Sequence, residues 1–311
     1  MVFFYTKKLF LYFAILIVLC VDHNFSFAQK NNVCLSMGYD LTFFKKLKKD
    51  DFKKQGNIND DDLALLLANC LGHSDSNIRD GIAFEGLVTL LRGARVSDSG
   101  KRKLLVECAN ALKPKMPEGE GFLKPFSALC VAEIARTDRI EPYLVPEERQ
   151  ELVEIGADYL KSITDYRGYD QKDGWRHGVA HTADILMQLT LNDNIGVLHH
   201  KSIMEAISTQ ISPLGEFYVY GEPQRLARPI FFIAMRGTIK EEEWANWLTQ
   251  IVNPKPVLND WSEAFSSQEG LAKRHNTNAF LSALYLGVST SENEAVKNML
   301  PSLKVALSHL P

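Results

Sequence analysis

The feature that most constrains this chain is a succession of amphipathic helical patterns that begins near Asp60. Apolar residues recur every three to four positions, as on one face of an α-helix, and only residues 217–220 resemble a strand. Residues 29–56 precede this succession as an irregular, lysine-rich segment with one short helix. We therefore predict an all-α fold. The predicted helices span residues 41–47, 61–71, 78–92, 98–112, 121–137, 147–162, 175–190, 196–210, 224–236, 241–252, 268–287 and 292–308.

The first long helix pair has the pattern of a HEAT-type repeat. One helix ends at Gly72, a polar turn containing Asp75 follows, and the next helix begins with Arg79 and Asp80. A single pair cannot bury its apolar face alone, so further pairs are expected to stack beside it. We predict one α-α superhelix over residues 57–311. An αα-toroid is the alternative, because both architectures bury one side of each helix pair.

Residues 1–28 have the composition of a secretory signal peptide. Two lysines precede an apolar run from Leu9 to Val21, and Ala28 ends a small-residue cleavage sequence. We expect cleavage near Ala28 and a periplasmic or secreted product, with an uncleaved N-terminal membrane anchor as the alternative. No later stretch approaches the ~20 apolar residues of a membrane span.

Charge and cysteine content narrow the function classes. The net charge of −3 argues against nucleic acid as a partner, because phosphate binding requires a basic surface.

An even number of cysteines after residue 28 permits disulfides in an oxidising compartment. The apolar helical setting of the last three equally suits free, buried thiols. These cysteines are Cys34, Cys70, Cys108 and Cys130.

The densest group of reactive side chains lies within residues 164–188. If a helix begins at Trp175, then His177, His181 and Asp184 fall at i, i+4 and i+7 and share one face. Two imidazoles and a carboxylate could bind a divalent metal ion, or Asp184 could orient a histidine that acts as a base. The same side chains could instead form a ligand-binding face or a structural hydrogen-bond network.

Two later segments and one earlier arginine add candidate binding residues. Glu222 and Arg225 stand at the start of a predicted helix, and Arg274 and Asn278 share a helix face that could approach the central histidines. Arg167 precedes the central helix. Plain solvated surfaces are the alternative for these positions. If a metal ion is bound, the candidate ligands outside the central helix are Asp80, Glu85, Glu222 and His275.

Four sequence blocks occur together and in a fixed order. The most specific is Gly174-Trp-Arg-His-Gly-Val-Ala-His-Thr-Ala-Asp184, and the others are Ile78-Arg-Asp-Gly-Ile-Ala-Phe-Glu, Phe126-Ser-Ala-Leu-Cys-Val-Ala-Glu and Tyr220-Gly-Glu-Pro-Gln-Arg225. In these blocks the chain resembles the bacterial family catalogued as domain of unknown function 2785, over roughly residues 63–286. The resemblance implies one helical domain with Trp175, His177, His181 and Asp184 as its defining block. It implies no particular activity.

These observations favour an exported helical-repeat protein that binds a peptide or protein partner. Its polar face would be centred on Arg167, Trp175, His177, His181 and Asp184. The alternative is a hydrolase-like enzyme in which a metal ion, held by the two histidines and a carboxylate, activates water. Whether a third ligand approaches the histidine pair distinguishes these hypotheses.

Overall fold

The computed structural model describes Cys34 and residues 39–53, 57–114, 116 and 120–311, so the signal-peptide prediction lies outside the described residues. The described chain is all-α apart from one short hairpin, which confirms the predicted fold class. None of its helices is long and apolar enough to cross a membrane. The elements are α1 Leu41–Lys49, α2 Asp60–Ala68, α3 Ser76–Ile78, a π-helical segment Arg79–Phe84, α4 Glu85–Arg92, α5 Asp98–Leu112, α6 Leu123–Ile140, α7 Pro146–Ser162, β1 Tyr169–Asp170, β2 Gly174–Trp175, α8 Gly178–Thr190, α9 Val197–Gln210, α10 Glu222–Arg236, α11 Glu241–Ile251, a 3-10 helix Trp261–Phe265, α12 Gln268–Ser289, α13 Glu294–Lys297 and α14 Leu300–Ser308.

Several helices begin where a polar side chain replaces the missing backbone partner of the first turn. The side chains of Asp40, Asn59, Ser97 and Ser267 each accept a hydrogen bond from a backbone N–H two or three residues into α1, α2, α5 and α12. Such caps satisfy donors that an α-helix leaves unpaired at its start. These four helix starts are therefore fixed by the local sequence.

Alternate helices form a row of direct neighbours. Helices α4, α6, α8, α10 and α12 each pack against the next, while α2 packs against α5 and α7 packs against α9 in a second row. Buried apolar side chains from both rows form a continuous core. The Phe126 ring of α6 lies 5.5 Å from the His181 ring of α8, and Arg225 of α10 pairs with Asp184 of α8. The N-terminal parts of α6, α8 and α10 therefore lie side by side.

Several predicted elements differ from the structure. The predicted helix 78–92 contains a π-helical segment, and the predicted helix 292–308 divides into α13 and α14. Residues 217–220 are not a strand but an extended loop, in which Tyr218 N donates to Asn276 Oδ1 at 2.9 Å. Asn276 Nδ2 donates to Glu216 O at 2.7 Å, so one buried amide takes the place of a neighbouring strand.

All four cysteines after residue 28 form disulfides. Cys34 bonds Cys70 with Cα atoms 4.7 Å apart, and Cys108 of α5 bonds Cys130 of α6 with Cα atoms 6.5 Å apart. The free-thiol alternative is therefore wrong. Helical periodicity correctly placed three of these side chains in the core, but it could not show that helix packing brings the sulfur atoms into pairs.

Candidate functional site

A short hairpin, rather than a helix, precedes the two histidines. Strands β1 and β2 are antiparallel, and Asp170 Oδ1 closes their turn by accepting from the backbone N–H groups of Lys172 and Asp173, both at 2.9 Å. The backbone pairing extends beyond β2, because His177 N donates to Arg167 O at 3.0 Å. The hairpin thus fixes the backbone of residues 174–177, which precede α8, by pairing it with residues 167–170.

The predicted helix start at Trp175 is wrong, because the backbone from β2 to His177 pairs with the chain that enters the hairpin. His177 instead precedes α8 in the left-handed conformation, with φ 58° and ψ 42°. A non-glycine residue in this region costs roughly 1–2 kcal/mol, and such residues cluster at functional sites. The two imidazoles are still neighbours, with ring centroids 5.7 Å apart.

The imidazole of His177 is buried but incompletely satisfied. Its Nε2 atom is inaccessible and has no hydrogen-bond partner among the described residues; the nearest carboxylate oxygen, Glu222 Oε1, lies 3.4 Å away. Glu222 is 2% exposed, and its other oxygen accepts from Tyr220 N at 2.9 Å. Trp175 stacks on the imidazole with ring centroids 4.9 Å apart. An unpaired buried polar atom is costly and therefore calls for an explanation.

His181 is held as a neutral imidazole. Its Nδ1 lies 3.2 Å from Pro125 O, so the tautomer that carries a proton on Nδ1 donates to this carbonyl. Burial, followed by the charges of His177 and Arg225, lowers the pKa of His181 to about 3. Its Nε2 is consequently a hydrogen-bond acceptor at neutral pH.

The carboxylate of Asp184 pairs with Arg225. Arg225 Nε donates to Asp184 Oδ1 at 3.1 Å, and Arg225 Nη2 donates to Oδ2. Burial raises the pKa of Asp184, although the charge and hydrogen bonds of Arg225 act in the opposite direction. Asp184, a predicted metal ligand, thus meets Arg225, a predicted binding residue, and both oxygens of the carboxylate have a cationic partner.

Glu222 is the predicted outside ligand that approaches the histidines. Within the described part of the chain, however, no group of three or more His, Cys, Asp or Glu side chains is arranged to hold a metal ion. The other predicted outside ligands lie elsewhere: Asp80 Oδ1 accepts from Arg79 Nε at 2.8 Å, Glu85 Oε2 accepts from Lys48 Nζ at 2.8 Å, and His275 Nε2 lies 3.3 Å from Tyr218 O.

The remaining predicted binding residues have local partners. Arg274 Nε and Nη2 donate to Pro311 O at 2.9 and 2.6 Å, and Asn278 Oδ1 accepts from Ser282 Oγ at 3.2 Å. The expected approach of Arg274 and Asn278 to the central histidines is therefore not observed. Arg167 pairs with the carboxylate of Asp165 at 2.8 and 2.5 Å.

Sequence reasoning missed two tyrosines that extend the site. Tyr169, Trp175 and Tyr220 are 49%, 39% and 39% exposed, and they form what we call the aromatic face. The Trp175 ring lies 5.2 Å from the Tyr169 ring and 5.7 Å from the Tyr220 ring. A Cβ atom at Gly168 would overlap the Tyr220 ring, so this glycine permits the close approach. Because Tyr169 lies in β1 and Tyr220 in the loop before α10, no periodicity could have joined them.

The family match covers the elements that build this site. The family model described as "Protein of unknown function (DUF2785)" matches residues 117–286, more than half of the chain. Searches of curated proteins and of solved structures found no match. The matched segment contains the hairpin, α8 and α10, as the resemblance of the Gly174–Asp184 block indicated. The chain therefore belongs to the family described as Protein of unknown function (DUF2785).

Proposed function

We propose that this protein is a binding protein that contacts a peptide or protein partner through the aromatic face. The observation that carries the proposal is the exposure of Tyr169, Trp175 and Tyr220 in mutual contact above buried polar groups. Tryptophan and tyrosine are enriched among the residues that dominate the energy of protein interfaces. Their rings supply a large contact area at a low cost in side-chain entropy.

The groups beneath the rings suit recognition of a polar partner group. His177 Nε2 is unpaired beside Glu222, and the stacked Trp175 ring covers His177. A displacement of this indole would offer a nitrogen and a carboxylate to a backbone amide or a side chain of the partner. The aromatic rings then supply the apolar contact, and the buried pair supplies directional hydrogen bonds.

The environment of Asp184 favours binding over metal-dependent hydrolysis. Both oxygens of Asp184 interact with Arg225, so neither is free to bind a metal ion. Glu222 does approach His177, at 3.4 Å, but among the described residues it does not complete a group of three side chains arranged to hold a metal ion. Breaking this half-buried pair would leave an uncompensated arginine, which is costly. The proposal therefore assigns Asp184 to holding α8 against α10.

Export and a HEAT-like superhelix over residues 57–311 complete the proposal. Cleavage near Ala28 would release the protein into the periplasm or the medium, and the two disulfides support an oxidising compartment. The alternating rows of helices support a stack of helix pairs. Mass spectrometry of the N-terminus of the exported protein tests the cleavage; a chain that retains residues 1–28 contradicts it.

The binding proposal is tested by cross-linking the wild-type protein to its partner and then measuring the affinity of the purified pair. Trp175→Ala should weaken binding at least about tenfold, because truncating a central aromatic contact costs more than about 1.4 kcal/mol. Phe265→Ala is the matched control, since Phe265 is an aromatic residue that is 62% exposed and lies outside the aromatic face.

Two results would contradict this function. One is an equal affinity of the wild type, Trp175→Ala and Phe265→Ala for the partner. The other is near-stoichiometric zinc, iron or manganese in the purified wild type that is lost in the His177→Ala/His181→Ala double variant. The second result would establish the metal-dependent alternative.

A further inference from the structure

We infer that Arg79 is the positioning residue of the aromatic face, which it serves by anchoring the β1–β2 hairpin from a different part of the fold. The inference rests on the function proposed for that face. Arg79 Nη2 donates to Asp173 O at 2.8 Å, across a sequence separation of 94 residues. Asp173 immediately precedes β2, which carries Trp175. A substitution of Arg79 therefore alters the position of the Trp175 indole, because it releases Asp173 and, with it, the start of β2.

The guanidinium of Arg79 is fixed before it reaches the hairpin. Its Nε donates to Asp80 Oδ1 at 2.8 Å, and its Nη1 donates to His73 O at 3.0 Å and Ser74 O at 3.1 Å. Arg79 is 0% exposed. All three guanidinium nitrogens of Arg79 thus donate hydrogen bonds. Lysine has a single ammonium group and cannot reproduce this planar arrangement of donors.

The same guanidinium also stacks on two phenylalanine rings beside the site. Two arginines contact the Phe122 ring, with Arg79 Cζ 4.0 Å and Arg176 Cζ 4.2 Å from its centroid. Arg79 Cζ also lies 4.8 Å from the Phe126 ring, which in turn contacts the His181 ring. Arg79 therefore touches the hairpin and the aromatic ring that packs against His181.

Gly174 of the hairpin leaves room for the Arg79 guanidinium. Gly174 has φ 81°, and a Cβ atom at this position would lie 3.2 Å from Arg79 Nη2 and 3.5 Å from Ser76 Cβ. A side chain here would both strain the backbone and press against the guanidinium. Glycine permits the close approach that the hydrogen bond to Asp173 O requires.

Arg79 belongs to the π-helical segment, which precedes the family-matched residues 117–286. π-Helical turns are rare and frequently occur at functional sites, because the extra residue redirects side chains. The aromatic face therefore depends on the helix pair before the matched segment, and a comparison confined to that segment would miss the dependence.

The test uses the disulfide-bonded protein labelled with 5-fluorotryptophan and observed by fluorine NMR. The chain has four tryptophans, and the Trp175 resonance is assigned as the one lost in Trp175→Phe. Arg79→Lys should move the Trp175 resonance toward the position of free 5-fluorotryptophan and leave the other three unchanged, because the indole loses its fixed stacking on His177. Arg149→Lys is the matched control, since Arg149 is also buried and paired with a carboxylate. It should leave the Trp175 resonance in place.

A second variant approaches the same contact from the hairpin side. Gly174→Ala should also displace the Trp175 resonance, and it carries the test if Arg79→Lys does not fold, as judged by circular dichroism. An unchanged Trp175 resonance in the folded variant would overturn the assignment. A displaced resonance with undiminished partner affinity would support the positioning role of Arg79 and refute the binding function of the face, so the two failures are distinguishable.

Discussion

The two ends of α6 hold buried polar clusters of opposite character. At its C-terminal end, Asp138 accepts from Arg149 Nε at 2.7 Å, Arg149 Nη2 at 3.0 Å and Asn192 Nδ2 at 2.9 Å. The backbone N–H groups of Tyr143 and Leu144 donate to the same carboxylate at 3.0 and 2.8 Å. Burial would raise the pKa of Asp138, but the bonds from Arg149 and the backbone outweigh it and hold the pKa below its usual value.

At the N-terminal end of α6, the polar groups are incompletely paired and covered by exposed rings. His177 adopts a left-handed conformation, its Nε2 has no hydrogen-bond partner among the described residues, and Trp175 above it is 39% exposed. Buried polar networks that are fully satisfied stabilise a fold, whereas strain and unpaired groups persist where function requires them. The fully paired group around Asp138 (the Asp138 cluster) therefore has the character of a stabilising network, and the incompletely paired group around His177 (the His177 cluster) has the character that the proposed binding function requires.

Removal of the Asp138 carboxylate should produce the largest loss of stability. Asp138→Ala should lower the free energy of unfolding by about 3–5 kcal/mol, because it leaves Arg149 buried without its partner. Urea denaturation measures this loss. The exposed pair of Asp193 with Arg236 is the control, and Asp193→Ala should change stability by less than about 1 kcal/mol. Equal effects of the two substitutions would remove the contrast between buried and exposed pairs.

The second prediction concerns acid sensitivity at the N-terminal end. Because the folded-state pKa of His181, about 3, lies below the value of 6.5 for the unfolded chain, the unfolded chain takes up the proton first as the pH falls. Stability from this group is complete above pH 6.5 and is lost progressively toward pH 3. At pH 5 the loss should be about 2 kcal/mol.

This loss should be absent in His181→Gln, so its free energy of unfolding should fall less steeply between pH 6.5 and 5 than that of the wild type. His200 is a second contributor, because burial and then the charge of Arg236 lower its pKa to about 4. The exposed His309→Gln serves as the control. Parallel pH profiles for the wild type and His181→Gln would contradict the neutral, buried state of this imidazole.

The smallest effect is expected for His177→Gly. Glycine adopts the left-handed conformation without strain, which offsets the loss of ring packing against Trp175, so stability should change by less than about 1 kcal/mol. Ala94→Gly is the control, since Ala94 is exposed and has φ 52° but no ring to lose. A loss from His177→Gly as large as that from Asp138→Ala would show that the His177 cluster also serves mainly stability.

The sequence predicted most of the helices because their periodicity and start signals are local. It also placed His181 and Asp184 correctly on one helix, since a spacing of three residues fixes their shared face. It could not predict that Asp184 pairs with Arg225, because that contact joins α8 to α10 across 41 residues. The hairpin before His177 was missed because each of its strands has only two residues, which is too short for an alternating pattern to be recognised.

The alignment of α6, α8 and α10 has an electrical consequence. Each α-helix carries a partial positive charge at its N-terminus, where the first backbone N–H groups lack helical partners. With three such ends side by side, the edge that carries the aromatic face stabilises negative charge. Glu222, the first residue of α10, occupies this field as a buried carboxylate. The three helix ends thus supply a positive environment for a carboxylate that lies out of contact with water.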